Sequence, residues 1–152
     1  MSGKLSNIVV GVDGSAGAQE ALEMVADLAL AFGSKVHVAI ATHHVSAAEW
    51  NETLQSLPRE FWDAVDLHSD ASAVLDEAAL ALEERGVEVE KHLCIDHVAD
   101  ALIGVAEREK ADLIVVGSRG LGAAKRAFLG SVSSKMAHHA PCAVLIAGTR
   151  QP

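Results

Sequence analysis

Residues 112–120 read DLIVVGSRG, and residues 7–15 read NIVVGVDGS. Each contains a short β-branched run that is continuously apolar rather than alternating, the pattern of a strand buried on both faces of a sheet. Each run ends in glycine, at Gly11 and Gly117, and passes into a turn of small residues. Ile8-Val9-Val10-Gly11 and Ile114-Val115-Val116-Gly117 are nearly one strand written twice. Nothing recurs at a fixed period, so this is no solenoid. The expectation is two half-units, each opening with a strand that feeds a ligand-facing loop.

Outward from these runs, strand and helix signals alternate. The first strand is expected over Asn7–Val12, and Lys35–Ala41, Val87–Ile95, Asp112–Gly117 and Ala143–Ala147 supply four more. Ala18, Ala21, Leu22, Val25, Ala29 and Phe32 recur at helical spacing, with Ser15 as cap and Gly33 as stop. Pro58 is suited to start a helix reaching Arg85, with Phe61, Trp62, Val65, Leu75, Ala78 and Leu82 along one side. Asp96 is expected to cap a helix in which Val98, Leu102, Val105 and Ala106 share a face. A short helix over Ser131–His139 is closed off by Pro141. Residues 43–67 hold both tryptophans, Trp50 and Trp62, and read as a lid, a partner surface or a mobile loop. Strands separated by helices imply right-handed crossovers, hence an α/β fold with a parallel sheet covered on both faces.

Composition bounds the function. The 152 residues suit one domain, 1–152, and a chain half hydrophobic and 22% charged is too apolar for disorder. No apolar run approaches the roughly 18 residues of a membrane span. Asp13 interrupts the first apolar stretch, so no signal peptide is expected. Cys94 and Cys142 make no disulfide framework, and the chain reads as reduced and cytoplasmic. A net charge of −9 argues against nucleic-acid and polybasic membrane binding. The charge is uneven, however. All 21 acidic residues precede residue 113, whereas Arg119, Lys125, Arg126, Lys135 and Arg150 follow it. An acid-free quarter of an acidic chain suits an anion, or is a chance imbalance on a solvated surface.

The sharpest local signal lies in that quarter: Gly117, two residues, Gly120, nine residues, then Gly130-Ser131. Glycines at a strand end let the backbone turn tightly and approach a ligand. At the start of the next helix the N–H groups of Ser131, Val132 and Ser133 lack intrahelical partners, and with the positive helix end they suit a phosphate. Arg119 adds charge nearby. The blander reading is that the glycines serve turns and Ser131 caps a helix. The matching feature is Gly11-Val12-Asp13, where a carboxylate at a strand end can accept from a ribose or base, or help hold a metal on phosphates. Alone, Asp13 reads as an Asx-turn.

These segments, VVGVDGS, ADLIVVGSRG and LGSVSSKMAHHAPCAVLIA, together make the chain resemble the universal stress proteins over essentially its whole length. The resemblance implies a three-layer doubly wound fold, a five-stranded parallel sheet in order 3-2-1-4-5 between helices. It also implies ATP binding, with Mg²⁺ possible through the phosphates, as regulatory binding within a homodimer. Carried onto this sequence, Asp13 lies by the nucleoside, and Ala41 lines the adenine through its backbone. Val116, Gly117 and Gly120 meet the ribose and phosphates, and Gly130, Ser131, Val132 and Ser133 cradle the phosphates. Gly11 and Ala143 stand where family members commonly carry proline. In the implied order Ala143–Ala147 is an edge strand with Val144, Leu145 and Ile146 at a dimer interface, and the two cysteines lie on opposite edges, too far apart to bond.

Other chemistries have less support. There is no Gly-x-x-x-x-Gly-Lys-Ser/Thr and no Gly-x-Gly-x-x-Gly in the opening turn. His43-His44 and His138-His139 are adjacent pairs, not the spacing that sets two imidazoles on one helical face, so no metal site is expected. No Ser-His-Asp arrangement has spacing support, and Asp13 is the one candidate acid for an attacking water. Two further readings stay open: an interaction module with structural glycine loops, and a slow ATPase or phosphotransferase.

Overall fold

A computed structural model of the chain describes residues 5–13, 16–42, 48, 51–52, 55–56, 58–59, 67–117 and 131–148. The apolar runs form strands β1 (Asn7–Gly11), β2 (Lys35–Thr42), β3 (Glu88–Ile95), β4 (Leu113–Gly117) and β5 (Ala143–Ala147). Helices α1 (Ala16–Phe32), α2 (Leu67–Glu84), α3 (Val98–Arg108) and α4 (Ser131–His139) alternate with them. Neighbouring strands pair in parallel in the order β3-β2-β1-β4-β5. This is the doubly wound α/β fold that the resemblance implies.

The continuous apolar runs are explained by a two-sided core. Successive side chains of a strand point to opposite faces. Ile8 and Val10 join Val36, Val38, Leu113 and Val115 against Leu22 and Val25 of α1 and Leu75 and Leu82 of α2. Val9 joins Ala39, Ile114 and Val116 against Leu102 and Val105 of α3 and Met136 of α4. The twin strands lie side by side but one residue out of step, Ile8 opposite Leu113 and Val9 opposite Ile114. Asp112 holds that register. Its Oδ2 accepts from the N–H groups of Ser6 at 2.8 Å and Asn7 at 3.1 Å, and its own N–H donates to the Asn7 carbonyl at 2.8 Å.

Several local expectations change. β1 stops at Gly11 rather than Val12, β2 runs on to Thr42, and β3 and β4 each begin one residue later than the pattern implies. Phe32, on the periodic face of α1, is 42% exposed because it is the last helical residue and the chain turns away at Gly33. His97, not Asp96, is the N-cap of α3 and makes no side-chain cap; the Asp96 carboxylate accepts from the adjacent His97 N–H at 2.8 Å. Pro58 is not helical, and the described part of α2 runs from Leu67 to Glu84. A proline tolerates a first helical turn without imposing one. Ser15, Trp50, Phe61, Trp62 and Val65 lie outside the described residues. Cys94 and Cys142 are free thiols, on the edge strand β3 and just before the opposite edge strand β5, and burial pushes both thiols above their ordinary range. Among the described residues no helix is long and apolar enough to cross a membrane.

Among the described residues, Gly33, Gly86 and Lys110 take left-handed backbone conformations at helix ends. Gly86 turns the chain out of α2 at a φ of 90°, letting the Val87 N–H reach back to the Leu82 carbonyl at 3.1 Å. A Cβ at Gly86 would meet no atom within 4 Å, so backbone conformation alone opposes a side chain there. Gly86→Ala should therefore destabilise the fold by about 1–2 kcal/mol. Urea unfolding checks this, and an unchanged midpoint would show that the turn relaxes at no cost.

Candidate functional site

Strand order reverses between β1 and β4. The helix that follows β1 packs on one face of the sheet and the helix that follows β4 on the other, so the chain parts at the carboxyl ends of these strands. Open α/β sheets bind ligands at such a point. The crevice there is lined by Gly11, Val12, Asp13, Ala18, Ala41, Val98, Leu102, Val116, Gly117 and Val132. Among the described residues its walls are apolar except for Asp13, which is exposed.

Main-chain contacts set the shape. The Val12 N–H donates to the Ala39 carbonyl at 3.0 Å, holding the start of the first loop against β2. At Gly117 a Cβ would come within 2.7 Å of the Gly17 carbonyl carbon, so the end of β4 touches the first turn of α1 backbone to backbone. Only glycine permits that approach. At Gly11 a Cβ would come within 2.8 Å of Leu102 Cδ1. The space that a larger residue would need at position 11 is thus filled from α3.

α4 is tied to the same strand end. Ser133, 2% exposed, donates its hydroxyl to the Gly117 carbonyl at 2.9 Å. This bond points the first turn of α4 at the crevice, where its leading N–H groups have no intrahelical acceptors. The Ser133 hydroxyl proton is thus engaged by the end of β4 rather than held out to a ligand. Lys135, one turn on, is not an isolated cation. Its Nζ lies 2.9 Å from Asp100 Oδ1 across α3 and α4, and that hydrogen bond holds the Asp100 carboxyl below its ordinary range.

Of the residues singled out from sequence, Gly11, Val12, Asp13, Ala41, Val116, Gly117 and Val132 line one crevice, and Ser133 stands behind it. Arg119, Gly120, Gly130 and the side chain of Ser131 lie outside the described residues. Ala18, Val98 and Leu102 line the crevice as well but read in the sequence only as members of helical faces. Their signal is position. Ala18 and Val98 fall in the first turns of helices that follow strands, where a side chain reaches the carboxyl edge of the sheet.

Comparison with known proteins agrees with this fold. The pattern of the universal stress protein family matches residues 4–148. A universal stress protein of Methanocaldococcus jannaschii is 31% identical over 142 residues, covering 91% of this chain and 79% of that one. One of Thermus aquaticus is 56% identical over 48 residues, a match that spans 32% of this chain and 35% of that protein. Among solved structures, a universal stress protein in complex with cAMP is 27% identical with a TM-score of 0.71, and the match covers 97% of this chain and 99% of that one. From the twin strands to the α4 tie, and along nearly its whole length, this chain belongs to the universal stress protein family.

Proposed function

We propose that this chain binds an adenine nucleotide, ATP with Mg²⁺ carried on its phosphates, in the crevice between β1 and β4, as a regulatory protein of the cytoplasmic stress response. The observation that carries the reading is the convergence, at one strand-order reversal, of Asp13, the glycine strand ends and the first turn of α4. The cAMP complex of a structural relative supports the same ligand class.

The residues fit the parts of a nucleotide. Ala41, Val98, Leu102, Val116 and Val132 give an apolar slot suited to a flat base. The Asp13 carboxylate is an acceptor for ribose hydroxyls, and Gly11 and Val12 bring the backbone of that loop alongside. The N–H groups of Ser131, Val132 and Ser133 suit phosphates. Gly120 and Gly130 complete the family spacing, and Arg119 supplies positive charge in the acid-free segment. Calorimetry with ATP tests this reading. Gly130→Val should weaken binding at least tenfold, about 1.4 kcal/mol. Asp13→Ala should lower affinity without unfolding the chain, since Asp13 is exposed. Unaltered affinity in a folded Gly130→Val protein would favour the interaction-module reading, while steady release of ADP by wild type with Mg²⁺ would favour an ATPase.

The proposed assembly is a two-fold homodimer through β5. This strand ends the sheet, and among the described residues no other strand pairs with its outer side. Val144, Leu145 and Ile146 are only half-buried. An apolar edge without charge invites a second strand, and a two-fold contact would cover both copies at once. Wild type should sediment as a dimer at micromolar concentration, and Val144→Lys should shift it to monomer with unchanged circular dichroism. A monomeric wild type would end the dimer proposal and leave the nucleotide site untouched.

A further inference from the structure

His37 is an imidazole set within an apolar strand, with its side chain 1% exposed. Its Nε2 lies 3.1 Å from Asn7 Oδ1; in the tautomer that donates to this acceptor, Nδ1 is left to offer a lone pair to an ion. Around that nitrogen stand His92 Nε2 at 3.1 Å and Glu90 Oε2 at 3.2 Å, themselves 3.9 Å apart. Glu109, at the C-terminal end of α3, completes the group, and one ligand atom from each of the four residues lies within 4.8 Å of the others. Sheet register assembles it. His37 pairs with Glu90 and Ala39 with His92, and Glu90 and His92, two apart on β3, share a face.

We infer that His37, Glu90, His92 and Glu109 form a site for one divalent transition-metal ion, with Zn²⁺ the best match. Two imidazoles and two carboxylates suit zinc and its neighbours rather than Mg²⁺ or Ca²⁺, which take oxygen ligands, or Cu⁺, which takes sulfur. Tetrahedral zinc with bonds of about 2.0–2.1 Å sets its ligand atoms roughly 3.3 Å apart. Two of the separations, 3.1 and 3.2 Å, are close to that value. Glu109 is partly exposed, so a change of its rotamer can shorten the longer separations. The Asn7 contact is the outer-shell hydrogen bond that orients a ligating imidazole. Lys35 Nζ now lies 3.3 Å from Glu90 Oε2, and a bound ion must displace it; its side chain is 36% exposed and can extend into water. The site is separate from the crevice. His37 and Ala41 are four residues apart on β2, about 13 Å along the strand.

The test uses the full chain, stripped with a chelator and titrated with Co²⁺ alone and with Zn²⁺ alone. The expected result is one ion per chain, the intense visible absorption of low-coordinate Co²⁺ with its loss on adding Zn²⁺, and a higher Tm with metal. His92→Ala and Glu109→Gln should each weaken Zn²⁺ binding at least tenfold. The paired change His138→Ala and His139→Ala, on exposed histidines, should leave it unchanged. Should His92→Ala fail to fold, Glu109→Gln decides by itself, because that swap keeps the size of the side chain. The inference is overturned if wild type takes up no stoichiometric ion, if uptake survives Glu109→Gln at wild-type affinity, or if it is lost with His138 and His139. None of these readouts involves ATP, so the result stands apart from the nucleotide proposal.

Discussion

The pairing of β1 with β4 is the constraint on which the rest of the structure depends. It joins segments 106 residues apart at the Ser6–Asp112 contact. Closing so long a loop costs roughly 4 kcal/mol in chain entropy. The pairing offsets that cost because Ile8, Val9, Val10, Ile114 and Val115 all become fully buried, each contributing about 1.5–3 kcal/mol. Side by side, the two strands offer α1 and α2 one continuous apolar face and α3 and α4 the other. The helices on the two sides are therefore consequences of this central pair, not independent units.

The same pairing creates the crevice. Because β1 and β4 are neighbours and the helices that follow them pack on opposite faces, a cleft opens at the carboxyl ends of the two strands. Gly117 brings the end of β4 against α1, and Ser133 ties α4 to that same residue. One strand end thus fixes the position of two helices. Asp13 and the first turn of α4 face each other because Gly117 permits both contacts.

Much of this is legible in the sequence. The strands announce themselves because burial on two faces demands unbroken apolar runs, and helix stops such as Gly33 follow from backbone conformation. Gly11, Asp13 and Gly117 are legible because loop chemistry at a strand end is local. The errors occur where the outcome depends on distant partners. Phe32 fits the period of α1 but lies beyond the cover that would bury it. Leu102 reads as core and is core, but that it also reaches the crevice depends on the packing of α3 over Gly11. His37 and His92 are 55 positions apart, so no spacing rule joins them; the β2–β3 register does. A signal was nonetheless present, in a single histidine within KVHVAIA and in the alternation of EVEKH.

Position 117 cannot gain a side chain without moving the start of α1, since the atoms it would strike are main chain. The walls of the crevice are of another kind: valine, alanine and leucine differ from one another by a methyl group or two. Exchange among them reshapes the slot and leaves its frame in place. Single substitutions can in this way retune which small molecule fits best, while the capacity to form a slot stays invariant. A lineage built on such a scaffold can diversify its ligands faster than its architecture.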